Sequence, residues 1–467
     1  MTIRPASLHS QSQSSTDVVA EFLSAALNTE ISPSTLRKTY QSHFQALLNL
    51  ENQSIDYTSI EHVLQFAQNS FLTESNTTIR ESLEGAKSYG MTFLQIRGTA
   101  SPSFIDFGDE PSRWVDQGIA EAGIIEVLAK QRAPLSTLLA LAAGAECAPT
   151  EAWLAAGGTV LAVMRHNPKR WAELIEFARQ SAGTLLIPLK GDVSESLSDD
   201  EIALRAGIDL VKDFEYLPNI LSHAISERHT VIGAYAYSPG ASHLIVQAVQ
   251  DALIGFAATH YNPEQVAFHW LATPTDSQLL PDEFSEYASR RYDTRPIHVK
   301  LRDYFWKTFG QLRSPKALRN GDFVVVDSSV QKQGFNYQFA KRTQRLRALL
   351  LHSKGFSVAY GVTPPATTES VLSHRILIAS YRGAPQFGLH PFDKDLIGPI
   401  AMQQCLASLS MQFSKPREVY SKLAVHGGLW RLGYDPRTVW IPATISGLLG
   451  IFLPRNRAFR SVSLTKR

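Results

Sequence analysis

Polar and apolar positions along the chain change their period near residue 90, and the change separates two kinds of region. From Asp17 to about Tyr89 the apolar residues recur at three- and four-residue intervals. Val18, Phe22, Leu23 and Ala26 share one helical face; Leu36, Tyr40, Phe44, Leu47 and Leu48 share a second; Ile60, Val63, Leu64 and Ala67 repeat the spacing, as amphipathic helices do. Ser32 and Asp56 stand where N-caps belong, and Pro33 suits a first helical position. Residues 1–16 are rich in Ser and Gln and are expected to be a disordered tail. The pattern thus predicts an N-terminal helical region over residues 17–95, with no recognisable chemistry of its own.

Beyond that region short apolar runs alternate with helical patterns. TLLALAAG (137–144), TVLAVMR (159–165), TLLIPLK (184–190) and TVIGAYAY (230–237) read as four strands, FVVVDSS (323–329) as a fifth and FSVAYGV (356–362) as a sixth. Runs without polar alternation are covered on both faces, and their alternation with helices predicts an α/β fold with a doubly wound parallel sheet. Right-handed crossovers bring the strand ends bearing Gly144, Arg165, Asp192, Ser328, Ser329 and Pro364 to one edge, where such sheets bind ligands. The predicted domain runs over residues 96–380, with an insertion at about 260–320. Residues 381–467 form C-terminal helical additions that border the substrate pocket.

Composition narrows the function classes. With 467 residues, 44% hydrophobic and 19% charged, the chain is an ordinary globular protein with room for a large core. A net charge of +2, from 45 basic and 43 acidic residues, provides no global field for nucleic acid. Two cysteines, Cys147 and Cys405, make no disulfide framework or zinc site. Neither a secretory h-region nor a membrane-length apolar run is present, Trp440–Leu453 being too short and interrupted. A soluble cytoplasmic protein is expected, its partner a small-molecule substrate, with no nucleic acid and no transmembrane segment. Arg342, Arg345 and Arg347 read as a solvated or interface face, and His426 and Trp430 as loop and core residues.

The chemistry is concentrated in DSSVQKQGFNYQFAKRTQR, where Tyr337 and Lys341 lie four apart on one helix and share a face. A nearby ammonium stabilises phenolate and lowers the tyrosine pKa, so the phenol can exchange a proton with a substrate oxygen. Ser328 and Ser329, ending the preceding strand, would hydrogen-bond that same oxygen. His243 opens a helix near the strand edge and is expected to be structural. Gly-x-Ser-x-Gly, Walker and HExxH motifs are absent from the sequence.

These features together resemble the short-chain dehydrogenase/reductase family over about residues 135–370. The resemblance implies a Rossmann-type domain, Tyr337 and Lys341 as the proton-transfer pair, Ser329 or Ser328 as the active-site serine, and Pro364 through Thr368 as the loop beside nicotinamide. It further implies that Gly144, Ala145, Glu146 and Ala148 face the cofactor pyrophosphate, that Asp192 and Val193 contact adenine, and that Ala234 and Tyr235 line the cofactor after the fourth strand. Only the first glycine of the family's phosphate turn survives, and Pro365 replaces a glycine. Arg165, followed by Lys169 and Arg170, favours NADP over NAD, because arginine suits a 2′-phosphate. The implied activity is an NAD(P)-dependent ketoreductase, dehydrogenase or enoyl reductase in a homo-oligomer, and the aromatic-rich additions suggest an apolar acyl or polyketide-like substrate. The eroded turn motivates two alternatives: a degenerate Rossmann scaffold that binds a ligand or partner, and a nucleotide-dependent isomerase or lyase on the same fold.

Overall fold

Successive residues of the buried runs point to opposite sides, and each side builds its own core. Leu138, Ala140, Val160, Ala162 and Val231 pack on one face, while Leu139, Leu141, Leu161, Val163 and Ile232 pack on the other. The computed structural model describes residues 3–5, 14–51, 55–87, 89–193, 196–309, 311–316, 318–320, 323–330 and 333–450.

The strands are β1 (Met91–Arg97), β2 (Thr137–Leu141), β3 (Thr159–Val163), β4 (Thr184–Lys190), β5 (Thr230–Ala234), β6 (Val266–Ala272), β7 (Ser277–Pro281), β8 (Leu318–Asn320), β9 (Phe323–Asp327) and β10 (Val358–Val362). Seven of them form the central sheet, ordered β10-β6-β5-β2-β3-β4-β1. The edge strand β1 runs antiparallel to β4, and all other neighbours are parallel. The parallel strands are therefore arranged as in a Rossmann-like α/β fold, with the order reversing beside β2.

The larger helices are α1 (Ser15–Leu27), α2 (Pro33–Ala46), α3 (Tyr57–Asn69), α4 (Ser242–His260), α5 (Gly334–Ser353), α6 (Arg375–Gly383), α7 (Ile397–Ser410) and α8 (Trp440–Leu449). One face of the sheet is covered by α4 and α5, and α1, α2 and α3 pack over these as a further layer. On the opposite face α7 packs beside the short helix Thr150–Ala155 that follows β2.

Three sequence expectations need correction. The fifth parallel strand is β6, inside the expected insertion. The FVVVDSS run instead forms β9, which pairs antiparallel with β7 and β8 in a separate three-stranded sheet. Both runs are short and rich in β-branched or aromatic residues, and nothing local says which sheet either joins. The N-terminal tail also contributes structure: Ile3 is buried, Arg4–Pro5 pairs with Phe71–Leu72, and Ser14 caps α1 with a capping box closed by Asp17. The remainder of that expected tail lies outside the described residues. Finally, Arg342, Arg345 and Arg347 are buried rather than solvated, because the N-terminal layer covers this side of α5. Glu51 lies 2.9 Å from Arg345, Asp276 lies 3.0 Å from Arg342, and Asp251 lies 2.8 Å from Arg347. As expected, His426 and Trp430 are buried, their rings stacked at 5.0 Å.

Candidate functional site

The C-terminal ends of β2, β5 and β6 and the first turns of α5 meet at one edge of the sheet. Tyr337 is half-buried there beside Thr273, the residue after β6, whose hydroxyl opposes the effect of burial on the phenol's pKa. Lys341 follows one helical turn later, its ammonium 5.7 Å from the Tyr337 ring. Lys341 Nζ donates to the Leu271 carbonyl at 2.9 Å and to Gln344 Oε1 at 3.2 Å. Cys147, from the loop after β2, lies close enough to Lys341 for each to perturb the other's titration. The first loop of the sheet and the Tyr337/Lys341 helix therefore share one site.

Two further rings lie beside Tyr337. His243 stacks on Tyr337 at 6.1 Å between ring centres, and Tyr237 approaches both His243 and Tyr337, at 4.8 and 6.4 Å. His243 Nδ1 accepts from the Ser238 amide at 3.4 Å, while buried Nε2 has no hydrogen-bond partner among the described residues. Such an orphaned atom beside a phenol suits a polar ligand group. Burial, with the Lys341 charge, lowers the His243 pKa to about 3, so the ring is neutral.

The electrostatics differ from the simple tyrosine–lysine expectation. Burial is the largest influence on Tyr337 and raises its pKa above the ordinary phenol value; the Thr273 hydroxyl opposes this, and Tyr237 and Asp276 add to it. The phenol therefore keeps its proton at neutral pH, and burial makes it a weaker acid than a free phenol. Burial also lowers the Lys341 pKa to about 8, against the pull of Cys147 and Asp276, which leaves the ammonium poised near neutrality.

The serines predicted for the site sit elsewhere. Ser329 Oγ donates to Asp327 Oδ1 at 2.7 Å and accepts from Gln41 of the N-terminal layer at 3.0 Å. Ser328 is fully buried, its amide bonded to the Asp276 carbonyl at 3.4 Å. Both follow β9 and are displaced with it. Thr273 occupies the place after the fifth parallel strand, and the Thr-Pro-Thr closing the AFHWLA run is the sequence signal that marks it.

Of the residues expected to bind cofactor, Arg165 is exposed after β3, with Lys169 and Arg170 also exposed. Asp192 is exposed after β4, and the Val193 amide donates to Thr92 Oγ1 at 2.9 Å. Ala234 is buried, and Tyr235 folds back across Gly233 so that its hydroxyl meets His269 at 2.6 Å in the core. Tyr237, two residues on, reaches the site instead. Pro364 is buried, and Thr368 precedes the short helix Glu369–Leu372.

The phosphate turn is built differently from the expectation. Ala142, not Gly144, takes the left-handed conformation, with φ of 73°. Gly144 is needed for packing: a Cβ there would lie 2.4 Å from Met164 Sδ. The Ala145 amide closes the turn on Ala142 at 2.9 Å, and the Ala148 amide on Ala145 at 2.9 Å. Glu146 accepts from the Glu369 amide at 3.1 Å and from Lys394 Nζ at 3.2 Å. These bonds neutralise its carboxylate and tie the loop after β2 to the loop after β10.

No family model matches this chain, and no curated protein does either. Fold and site geometry carry the functional argument alone. Among the described residues no cluster of metal-ligating side chains occurs, and no helix is long and apolar enough to cross a membrane.

Proposed function

We propose that the chain is an NADP-dependent oxidoreductase working in the reducing direction, with Tyr337 as proton donor to a substrate oxygen. The observation that carries this reading is the joining of Tyr337, Lys341 and Thr273 at the C-terminal edge of a Rossmann-ordered sheet. Residues at two places along this sheet edge would suit a dinucleotide. Arg165, Lys169 and Arg170 are exposed where a 2′-phosphate would lie, and the unpartnered His243 Nε2 and the Lys341 ammonium are at the reacting end. When bound, the cofactor supplies a hydride. Tyr337, beside Thr273, donates the proton, and Lys341 favours the charge that develops on the phenol oxygen and can return a proton to it. The Tyr237 and His243 rings beside Tyr337 would suit an apolar carbonyl substrate such as an acyl compound.

One observation favours a second reading, a Rossmann-like scaffold without redox activity. The turn that would carry the pyrophosphate is packed by Met164 and bridged through Glu146 to Lys394. Titration with NADPH, followed by nicotinamide fluorescence, separates the two. The redox reading expects saturable binding, retained in Tyr337→Phe while reduction of a model ketone or enoyl thioester falls by about three orders of magnitude. Absence of binding at millimolar cofactor selects the scaffold. Binding with unchanged turnover in Tyr337→Phe removes the tyrosine mechanism.

A further inference from the structure

The helix Ile297–Thr308 is an amphipath turned inside out. Its inward face carries Asp303 and Trp306, buried at 1% and 8% exposure. Asp303 is bonded there to Arg295, to Arg302 at 2.7 Å and to the Tyr434 hydroxyl at 2.9 Å. Arg302 also donates to the Gln386 carbonyl at 2.7 Å. The outward face carries Ile297, Leu301, Tyr304, Phe305 and, just beyond the helix, Phe309, which are 73%, 66%, 73%, 55% and 64% exposed. Their spacing is that of one helical stripe. Scattered exposed apolar residues need no explanation, but a continuous aromatic and aliphatic stripe marks an interaction surface.

Charge identifies what would meet it. Between Thr294 and Asn320 the sole carboxylate is the buried Asp303, whereas Lys300, Lys307, Arg313 and Lys316 are exposed. The neighbouring part of the same lobe repeats the composition. The Arg313 amide donates to Thr438 Oγ1 at 3.0 Å, and Thr438 leads directly into α8, on which Ile441, Leu448 and Leu449 are 53%, 63% and 62% exposed. No charged residue lies in α8, and the sequence after it, 451–467, has five basic residues and no acidic one. Exposed aromatic and aliphatic side chains interspersed with Lys300, Lys307, Arg313 and Lys316 match the boundary of an anionic bilayer, where apolar groups enter the interface and Lys or Arg pair with lipid phosphate.

We infer that the Ile297–Phe309 face docks the protein reversibly on an anionic lipid surface. The inference stands on this surface alone and is independent of the redox reading. The test is flotation of the full-length protein with phosphatidylcholine vesicles, with and without phosphatidylglycerol. Binding is expected to the anionic vesicles, to weaken as salt is raised, and to fall about tenfold or more in Leu301→Asp/Phe305→Asp, with an unchanged circular dichroism spectrum. Both side chains are exposed, so the double variant is expected to fold. Failure of the wild-type chain to bind anionic vesicles overturns the inference, as does undiminished binding by the double variant. Sedimentation of the wild type as a dimer that the double variant converts to monomer, without vesicle binding, would assign the face to self-association instead.

Discussion

A hydroxyl can polarise a substrate oxygen only when a buried carboxylate has not already taken its proton. Ser329 is committed to Asp327 at 2.7 Å, whereas Thr273 faces the Tyr337 phenol and lies 2.7 Å from Thr275 Oγ1. On the redox reading Thr273→Val is expected to reduce kcat by about ten- to a hundredfold. Ser329→Ala is expected to leave kcat unchanged and to cost about 1 kcal/mol of stability. Steady-state kinetics paired with urea unfolding distinguish these outcomes, and equal kcat losses in both variants would sink the assignment. A pH profile provides a second test. The Lys341 pKa is lowered to about 8 from its ordinary 10.5, so kcat is expected to decline as pH rises through about 8 and the ammonium loses its proton. In Lys341→Arg, which stays charged, that limb should vanish; a wild-type profile flat to pH 10 would remove Lys341 from the proton path. The Tyr337/Lys341 pair was legible because its four-residue spacing is local. Cys147 was not legible, and Thr273 was marked only by the Thr-Pro-Thr that closes the β6 run, since only the folding of separate loops brings them to the pair.

At the scale of elements, the sequence is readable wherever burial is symmetrical. The runs forming β2, β3, β4, β5 and β10 are apolar on both faces, and their strands fall where the pattern predicts them. β6 was hidden by His269, which looks polar in sequence but is buried and neutral against Tyr235, its pKa lowered to about 3 by burial. β9 resembles a central strand because Val324 and Val325 are buried beneath the C-terminal lobe and the N-terminal layer. Contacts between distant elements are less legible still. Glu121 precedes the helix Gly123–Ala129, yet it binds His426 at 3.0 Å and Arg431 at 2.8 Å. Burial alone would raise its pKa, but these two partners outweigh that effect and hold it at about 2. A carboxylate lowered on folding adds stability above its unfolded pKa, near 4.5, and loses it as pH falls toward 2. Glu121→Gln is therefore expected to cost about 2–3 kcal/mol at pH 7. The difference from wild type should close between about pH 4.5 and pH 2, as followed by urea unfolding. A difference independent of pH would show that shape rather than charge holds the contact.

Across the whole molecule, the N-terminal helices are part of the domain rather than a separate unit. They cover the outer sides of α4 and α5. The junction is ionic as well as apolar: Glu51 and Asp276, from two distant parts of the chain, neutralise Arg342 and Arg345, all four side chains being within 3% of full burial. Asp276 lies three residues after Thr273, so the same cluster fixes both the end of β6 and the helix bearing Tyr337. Buried ion pairs add little net stability, since desolvation offsets their attraction, but removing one partner leaves an uncompensated charge. Glu51→Gln is accordingly expected to destabilise the protein by about 3–5 kcal/mol. Adding Arg345→Met to that variant should recover a substantial part of the loss, because it removes the stranded cation and keeps an unbranched stem of similar bulk. Guanidinium unfolding of both variants measures the difference. If the double variant is less stable than Glu51→Gln alone, packing by the Arg345 stem outweighs its charge, and the N-terminal layer is held chiefly by its apolar contacts with α5.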